Sequence, residues 1–124
     1  MNATLWIVQV LLAAFFAAGG VVKAGQPRKR LYDSGMTWVE DFSPATVTAI
    51  GVLEVLAAIG LVLPALTGIL PVLTPLAAVG LVLVMAGAAA VHHRRGEIAF
   101  IGVVAVLLLA AAFVAWGRFG SYAF

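Results

Sequence analysis

Cysteine is missing from all 124 residues of this sequence. Its absence excludes disulfide scaffolds, thiolate metal sites, iron–sulfur ligation and relays built on paired thiols, and it leaves the redox compartment unmarked. Several catalytic signatures are missing too: a glycine-rich phosphate loop, the HExxH zinc motif, a nucleophile elbow, and a pair of carboxylates within one apolar run. We therefore predict no metal site and expect a protein that is not a stand-alone enzyme.

Charged residues are also scarce. They make up 10% of the chain against 65% hydrophobic residues, and the mean hydropathy is +1.18. A soluble domain is roughly half apolar and about a quarter charged, so this chain has too little polar surface to cover a globule in water. We predict that a lipid bilayer surrounds it. The net charge of +2 does not indicate nucleic-acid binding, because six of the seven Lys and Arg residues lie in two short clusters beside apolar runs.

Long apolar runs are what the sequence has in abundance. A helix that crosses a hydrocarbon core of ~30 Å needs roughly 20 mostly apolar residues, whereas a membrane β-strand needs only ~9–11 residues of alternating character. Four runs have the length for helices: about residues 4–22, 44–63, 72–91 and 97–117. The sequence therefore predicts an all-α fold, a four-helix transmembrane bundle that forms one membrane domain over residues 1–124.

Local signals set some of the helix ends. Ser43 is a typical N-cap and Pro44 a typical first helical residue, so the second helix is expected to begin there. We expect it to end before Pro64, because proline disrupts a helix interior. The last run ends with three residues that we expect to anchor the helix at the membrane interface: Trp116, Arg118 and Tyr122.

The positive charges predict the orientation of the chain. The segments 23–43 and 92–96 together hold six Lys and Arg residues, the turn between the second and third runs holds none, and the C-terminal tail holds only Arg118. The positive-inside rule then makes both basic segments cytoplasmic loops and places both termini outside, in a multi-pass protein of the plasma membrane. The first run lacks a basic n-region and is long for a signal peptide, so we expect it to be retained.

The loop 23–43 mixes basic residues with aromatic and aliphatic ones in "RKRLYDSGMTWVEDF". This composition suits a segment at the headgroup level, with apolar side chains dipping inward and cations facing anionic lipid. Two interpretations remain open. The loop is either a structural lid over the bundle or a binding element, and in the second case Trp38 is a candidate ligand contact.

Glu54 is the strongest candidate for a functional side chain. A carboxylate near the bilayer centre costs at least ~2.5–3.5 kcal/mol, so it is expected to face the bundle interior. Gly51, Ala57 and Ala58 surround it with small residues on one helix face, which lets another helix or a ligand come close. Two interpretations remain open: Glu54 is a buried polar anchor for a ligand, or it is a paired or protonated carboxyl that only fixes the helix register.

Three side chains are candidate partners or co-ligands of Glu54. Lys23 and His92 lie at the cytoplasmic ends of their helices, and Glu54 is about 15 Å further in at 1.5 Å per residue. A direct pair with Lys23 would need the first helix to run deeper or its end to be buried in protein. Gln9 approaches from the opposite side and could donate a hydrogen bond. The sequence does not choose among them.

Adjacent histidines stand in the "HHRR" segment, His92 to Arg95. Their side chains project about 100° apart on a helix, so they do not converge on one metal ion as i, i+4 pairs do. Two interpretations remain open for His92. It contacts a ligand such as haem or a quinone, or it belongs to a solvated helix end whose cations complement the helix dipole.

The chain resembles the DoxX-like family of small membrane proteins. The resemblance rests on "FFAAGGVVKA", on "TWVEDFSPATVTAIGVLEVLAAIGLVLPAL" and on "HHRRGE", and its most specific part is a G-x-x-E-x-x-x-x-x-G-L-x-x-P pattern. That pattern is formed here by Gly51, Glu54, Gly60, Leu61 and Pro64. The resemblance implies a four-helix transmembrane bundle. It also implies a link to quinone-coupled membrane oxidoreductase assemblies, while distant animal relatives act as assembly factors.

Two functional hypotheses follow. In the first, the protein is an accessory subunit of a membrane oxidoreductase system that binds a quinone or a lipid, with Glu54 as polar anchor and Lys23 and Trp38 at the cytoplasmic mouth. In the second, it is a non-catalytic interaction or assembly protein for other membrane proteins, or it acts as a homo-oligomer. A small transporter is less favoured, because no pair of broken helices is visible.

Overall fold

The computed structural model describes residues 1–123, which form helices and connecting turns and contain no strand. Four long helices are apolar enough to cross a membrane. A short helix and a 3-10 helix lie between the first two of them. The bounds are Asn2–Gly25 for α1, Arg28–Asp33 for α2, Thr37–Asp41 for the 3-10 helix, Pro44–Thr67 for α3, Leu73–Arg94 for α4 and Ile98–Phe119 for α5. The predicted all-α, four-helix transmembrane bundle is confirmed.

The long helices run alternately up and down, so both chain termini lie at one end of the bundle. There the Nη1 atom of Arg118 donates a hydrogen bond to the side-chain oxygen of Asn2 at 2.6 Å. We call this the terminal end, and it also holds the turn 68–72. The opposite end, with the loop 26–43 and the turn 95–97, carries six of the seven Lys and Arg residues. We call it the basic end.

The closest helix contact joins Gly20 of α1 to Gly51 of α3. A Cβ atom added to Gly20 would lie 2.5 Å from the carbonyl oxygen of Gly51, and one added to Gly51 would lie 2.6 Å from the carbonyl oxygen of Gly20. Small residues permit such close backbone approach in membrane helices. Gly51 also meets Ala24, close to the end of α1, so the first two turns of α3 extend beyond that end.

These projecting turns of α3 are covered by the loop between α1 and α3. Leu31 of α2, Val39 of the 3-10 helix and Val47 of α3 form a small buried cluster there. The main core lies between the four long helices, and all four contribute apolar side chains to it. The outward faces of these helices expose many large apolar residues, as expected of surfaces that meet lipid tails.

Two helix pairs, α1 with α3 and α4 with α5, form the halves of the bundle. The halves meet tightly at the terminal end. A Cβ atom on Gly60 of α3 would lie 2.9 Å from that of Ala77 on α4, and one on Gly117 of α5 would lie 2.6 Å from Leu5 of α1. Because the halves pack closely at the terminal end, the open space between them lies toward the basic end.

The start of α3 matches its sequence signals, but its predicted end does not. Ser43 accepts a hydrogen bond from the backbone N–H of Thr46 at 3.2 Å, and Pro44 opens the helix, so the predicted cap is confirmed. The expected end before Pro64 is wrong, because α3 continues to Thr67.

The continuation past Pro64 has a local physical reason. Proline has no N–H to donate to the carbonyl of Gly60, four residues earlier. The hydroxyl of Thr74, on α4, donates to that carbonyl at 3.0 Å instead. A neighbouring helix thus satisfies the backbone group that proline leaves open, which is how membrane helices tolerate internal prolines.

The Gly20–Gly51 contact predicts that alanine destabilises the protein at Gly20 but not at a glycine that lies in open space. Gly20→Ala forces a methyl group into the backbone of α3 and is expected to lower the free energy of unfolding by about 1–3 kcal/mol, as overpacking does. Gly80→Ala is the matched control, because nothing lies within 4 Å of its added Cβ. Denaturant unfolding in detergent micelles measures both. Equal stability of the two variants would contradict the contact.

Candidate ligand-binding site

A cavity of about 440 Å³ lies at the basic end, between the two halves of the bundle. All four long helices and the loop 26–43 contribute to its wall, which is mostly apolar. Four of the lining side chains carry polar groups: Lys23, Trp38, Glu54 and His92. Small-molecule sites typically enclose ~300–1,000 Å³ and combine an apolar wall with a few polar groups. The cavity has both properties.

The cavity exists because the two halves separate toward the basic end. At the terminal end, Gly60 and Gly117 allow α4 and α5 to pack directly on α3 and α1. Further along the same helices, Ile50 and Glu54 of α3 line the cavity opposite Leu83 and Gly87 of α4. Between these residues the helices leave an open space.

Glu54 forms an ion pair with Lys23 on the wall of this cavity. The Nζ atom of Lys23 lies 2.7 Å from Oε1 and 3.0 Å from Oε2 of the carboxylate. The side chain of Glu54 is 2% exposed and that of Lys23 is 17% exposed. A buried carboxylate needs such a charged partner to offset the loss of hydration. Among the partners left open by the sequence, the structure brings Lys23 to Glu54.

The register of α1 against α3 explains how this pair forms. Glu54 lies ten residues inside the start of α3, as expected. However, α1 ends beside Gly51 and not beside the start of α3, so the axial distance from Lys23 to Glu54 is much shorter than ~15 Å. Lys23 and Glu54 are then about one helical turn apart along the axis, roughly 6 Å at 1.5 Å per residue. The flexible four-carbon stem of lysine covers this distance. The end of α1 is therefore covered by protein. Burial of this end was one of the two arrangements that would allow a direct pair between Lys23 and Glu54.

Trp38 brings the loop between α2 and α3 to the cavity. Its ring centre lies 5.8 Å from the Nζ atom of Lys23, and it packs edge-to-face on Phe42 with 5.8 Å between ring centres. Gly35 and Met36 line the cavity beside it. We call residues 34–42 the cover, because this segment closes the cavity at the basic end. The segment thus lies where the lid interpretation places it, and Trp38, the candidate ligand contact, is among the residues that line the cavity.

His92 is buried and lines the opposite wall of the cavity. Its Nδ1 atom lies 3.1 Å from Oε1 of Glu97, and its ring stacks on Phe100 with 5.0 Å between centres. His93 and Arg94 are exposed. The solvated helix end therefore describes His93 and Arg94, whereas His92 points into the protein.

Gln9 lies away from the cavity and does not contact Glu54. Its Nε2 atom donates to the carbonyl oxygen of Leu61 at 2.8 Å, two helical turns from Glu54, and its Oε1 atom accepts from the Nε atom of Arg118 at 2.6 Å. Gln9 is thus part of the closure of the terminal end, and the structure separates it from the other candidate residues.

Arg118 is not the interfacial anchor that the sequence suggested. It is 2% exposed, and it donates to Asn2, to Gln9 and to the carbonyl oxygen of Tyr122. Its guanidinium lies 5.6 Å from the ring centre of Trp6. A signal was present in the sequence, because Gln9 and Arg118 are the sole long polar side chains near the terminal ends of α1 and α5, and polar side chains in lipid seek each other.

A second polar group, missed by the sequence analysis, joins the cover to the turn between α4 and α5. Arg95 donates to Asp41 at 2.8 Å, to Glu40 at 2.9 Å and to Glu97 at 3.0 Å. Glu97 also accepts a hydrogen bond from the hydroxyl of Thr37 at 3.1 Å. We call these five residues the Arg95 network. They come from two segments more than 50 residues apart in the sequence, residues 37–41 and 95–97, so no spacing pattern indicated that they would meet.

The contacts of the network shift the pKa values of Arg95 and Glu97. Hydrogen bonds to Asp41 and Glu40, and then to Glu97, raise the pKa of Arg95, so it stays charged. The hydrogen bond with His92, followed by those with Thr37 and Arg95, lowers the pKa of Glu97 although partial burial opposes this. A lowered pKa stabilises the fold above the unfolded-state pKa, and this stabilisation is lost as pH falls through the folded-state value.

The arrangement suits a ligand with a polar head and an apolar body. Lys23 can donate a hydrogen bond, Glu54 can accept one or receive a proton, and His92 offers a ring nitrogen on the facing wall. Within residues 1–123 no three metal-ligating side chains gather.

Comparison with known proteins yields one family match. The model of the DoxX-like family matches residues 7–114, a range that includes all the candidate residues: Gln9, Lys23, Trp38, Glu54 and His92. Curated proteins and solved structures give no match.

The Lys23–Glu54 pair predicts a strong coupling between the two residues. Lys23→Met leaves the buried carboxylate without its partner and is expected to cost ~3–5 kcal/mol of unfolding free energy, whereas removing both charges costs much less. Unfolding of Lys23→Met, Glu54→Gln and the double variant completes a double-mutant cycle. Additive effects would show that the two side chains do not interact.

Proposed function

The chain belongs to the DoxX-like family, and from that premise we propose that it binds a lipid-soluble ligand in the cavity at its basic end. A quinone is the candidate ligand. In this proposal the protein is an accessory subunit of a membrane oxidoreductase system and not a stand-alone enzyme. The family resemblance supports the link to such systems, and the cavity supports the binding.

One observation carries the proposal, namely that the buried Lys23–Glu54 pair lies on the wall of an otherwise apolar cavity. A pair that served only to set helix register could be enclosed by packed side chains, as the Gln9–Arg118 contact is at the terminal end. Lysine has three donor hydrogens, and two of them serve the oxygens of Glu54, so one is left for a ligand carbonyl. A quinone has carbonyl oxygens on a flat apolar ring and matches this site.

The apolar walls fit the remainder of such a ligand. Phe15 and Phe16 of α1, Leu83 of α4 and Val103 of α5 lie along the cavity toward the bilayer centre. Several of them are also exposed on the outer surface. A long apolar tail could thus continue from the cavity into the surrounding lipid, while the polar head stays beside Lys23 and His92.

The orientation of the protein is part of the proposal. The basic end is cytoplasmic, with loops 23–43 and 92–96 on that side and both termini outside, and the membrane is the plasma membrane. The distribution of Lys and Arg supports this assignment. A cytoplasmic basic end would place the cover and the Arg95 network where a soluble or peripheral redox partner could reach them.

Ligand binding is tested by a substitution that fills the cavity. Gly87 lines the cavity and its added Cβ would meet nothing within 4 Å, so the side chain of Gly87→Leu starts in open space and is expected to occupy ligand space. Decylubiquinone binding to the protein in lipid nanodiscs, measured by calorimetry, is expected to weaken about tenfold or more, a loss of ~1.4 kcal/mol.

The matched control is Gly80→Leu on the same helix, where the added Cβ also meets open space but the residue is not part of the cavity wall. It should bind decylubiquinone as the unsubstituted protein does. Glu54→Gln should weaken binding with the helical content retained. Unchanged binding in both Gly87→Leu and Glu54→Gln would contradict the proposed site and favour an assembly role without a ligand.

The orientation is tested with single cysteines, since the chain has none of its own. Asp33→Cys at the basic end should resist a membrane-impermeant maleimide in intact cells and react after permeabilisation. Ser121→Cys at the terminal end should react in intact cells. The reverse pattern would show that the basic end lies outside.

A further inference from the structure

The cover is attached mainly to one half of the bundle. Val39 of the cover is fully buried and packs with Leu31 of α2 and Val47 of α3, and Val22 of α1 packs against the same cluster. The Nη1 atom of Arg28 donates to the carbonyl oxygen of Phe42 at 2.6 Å, which ties the end of the cover back to α2. Apolar packing thus makes the cover a part of the α1–α3 half.

The hydrogen bonds between the cover and the α4–α5 half all belong to the Arg95 network. Over residues 1–123 they run from Arg95 to Glu40 and Asp41, and from Thr37 to Glu97. Arg95 directly follows α4 and Glu97 directly precedes α5. Both residues therefore belong to the turn that joins these helices, and the network spans the gap between the two halves above the cavity.

The two ends of the bundle are closed by different forces. At the terminal end, glycine-mediated packing and the buried Arg118 hold the halves together. At the basic end, Glu40 is 50% and Asp41 is 44% exposed. Ion pairs in contact with water are individually weak, because water competes for both partners. The ion pairs that join the cover to the α4–α5 half are therefore weaker than the packing at the terminal end.

We propose that the Arg95 network holds the cover closed over the cavity and that ligand exchange requires the release of this network. The inference rests on the proposed function, because it assigns a route to the same cavity. Arg95 is a positioning residue that acts through the cover. It is not among the residues that line the cavity, whereas Gly35, Met36, Trp38 and Phe42 of the cover are.

Movement of the cover can be measured without any ligand. In a protein that carries Trp6→Phe and Trp116→Phe, Trp38 is the remaining tryptophan and reports on the cover. Arg95→Gln is expected to raise the quenching of Trp38 fluorescence by acrylamide about twofold, because the two exposed ion pairs that join Arg95 to the cover are lost. Arg94→Gln is the matched control, since Arg94 is the adjacent residue, is exposed and has no ion-pair partner within residues 1–123. Its quenching should stay at the parent level.

Ligand exchange is measured as the dissociation rate of decylubiquinone from protein in nanodiscs. Arg95→Gln should release it about tenfold faster, which corresponds to the combined loss of several weak ion pairs. Arg95→Lys keeps the charge but not the contact with all three carboxylates. Its dissociation rate should therefore lie between those of the unsubstituted protein and Arg95→Gln. Arg94→Gln should release at the unsubstituted rate.

A cross-link tests the same point in the opposite direction. Thr37→Cys with Glu97→Cys places two thiols on either side of the gap in a chain that otherwise lacks cysteine. A short bismaleimide that joins them should abolish exchange, and the untreated double variant should exchange faster than the unsubstituted protein. Exchange at an unchanged rate in the cross-linked protein would overturn the proposal and show that the ligand enters between helices from the lipid.

The experiments separate this inference from the proposed function. If decylubiquinone does not bind to the unsubstituted protein, the proposed ligand fails. Trp38 quenching still decides whether Arg95 holds the cover: equal quenching in Arg95→Gln and Arg94→Gln overturns that role. If quenching rises in Arg95→Gln while the dissociation rate stays constant, the cover opens but does not control exchange, and the inference is wrong.

Discussion

The backbone contact between Gly20 and Gly51 sets the register on which the rest of the structure depends. Because the two glycines let α1 and α3 touch near the end of α1, the first two turns of α3 extend past that end. Two consequences follow from this offset. Lys23 comes within reach of Glu54. The loop between α1 and α3 also folds back onto the projecting start of α3, where it buries Val47.

The same bundle closes its two ends in different ways, and this asymmetry creates the cavity. Apolar contacts at Gly60 and Gly117 bring the halves together at the terminal end, with Arg118 buried among hydrogen-bond acceptors. At the basic end the halves are joined through the cover and the Arg95 network. At the first end the close contacts at Gly60 and Gly117 bring the two halves together. The polar closure at the second leaves a space bordered by the Lys23–Glu54 pair.

Polar groups inside the bundle find their partners on other helices. Lys23 reaches from α1 to α3, Gln9 reaches from α1 to α3 and α5, and Thr74 reaches from α4 to the carbonyl of Gly60. Each link satisfies a group that lipid cannot hydrogen-bond. The position of Glu54 in an apolar run was enough to predict that it lies inside the bundle. Its partner could not be predicted in this way, because the pairing with Lys23 depends on how far α1 is shifted along α3.

Hydropathy and run length alone determined that the chain is an all-α, four-helix membrane protein, because a bilayer accepts few other solutions for segments so apolar. The cap at Ser43 and the inward position of Glu54 were likewise local or one-helix properties. The tertiary structure decided the pairing of Lys23 with Glu54, the burial of Arg118, the continuation of α3 past Pro64, and the Arg95 network. Each of these needs the relative placement of two or more helices, and that placement depends on side-chain volumes and backbone approach between residues far apart in the sequence.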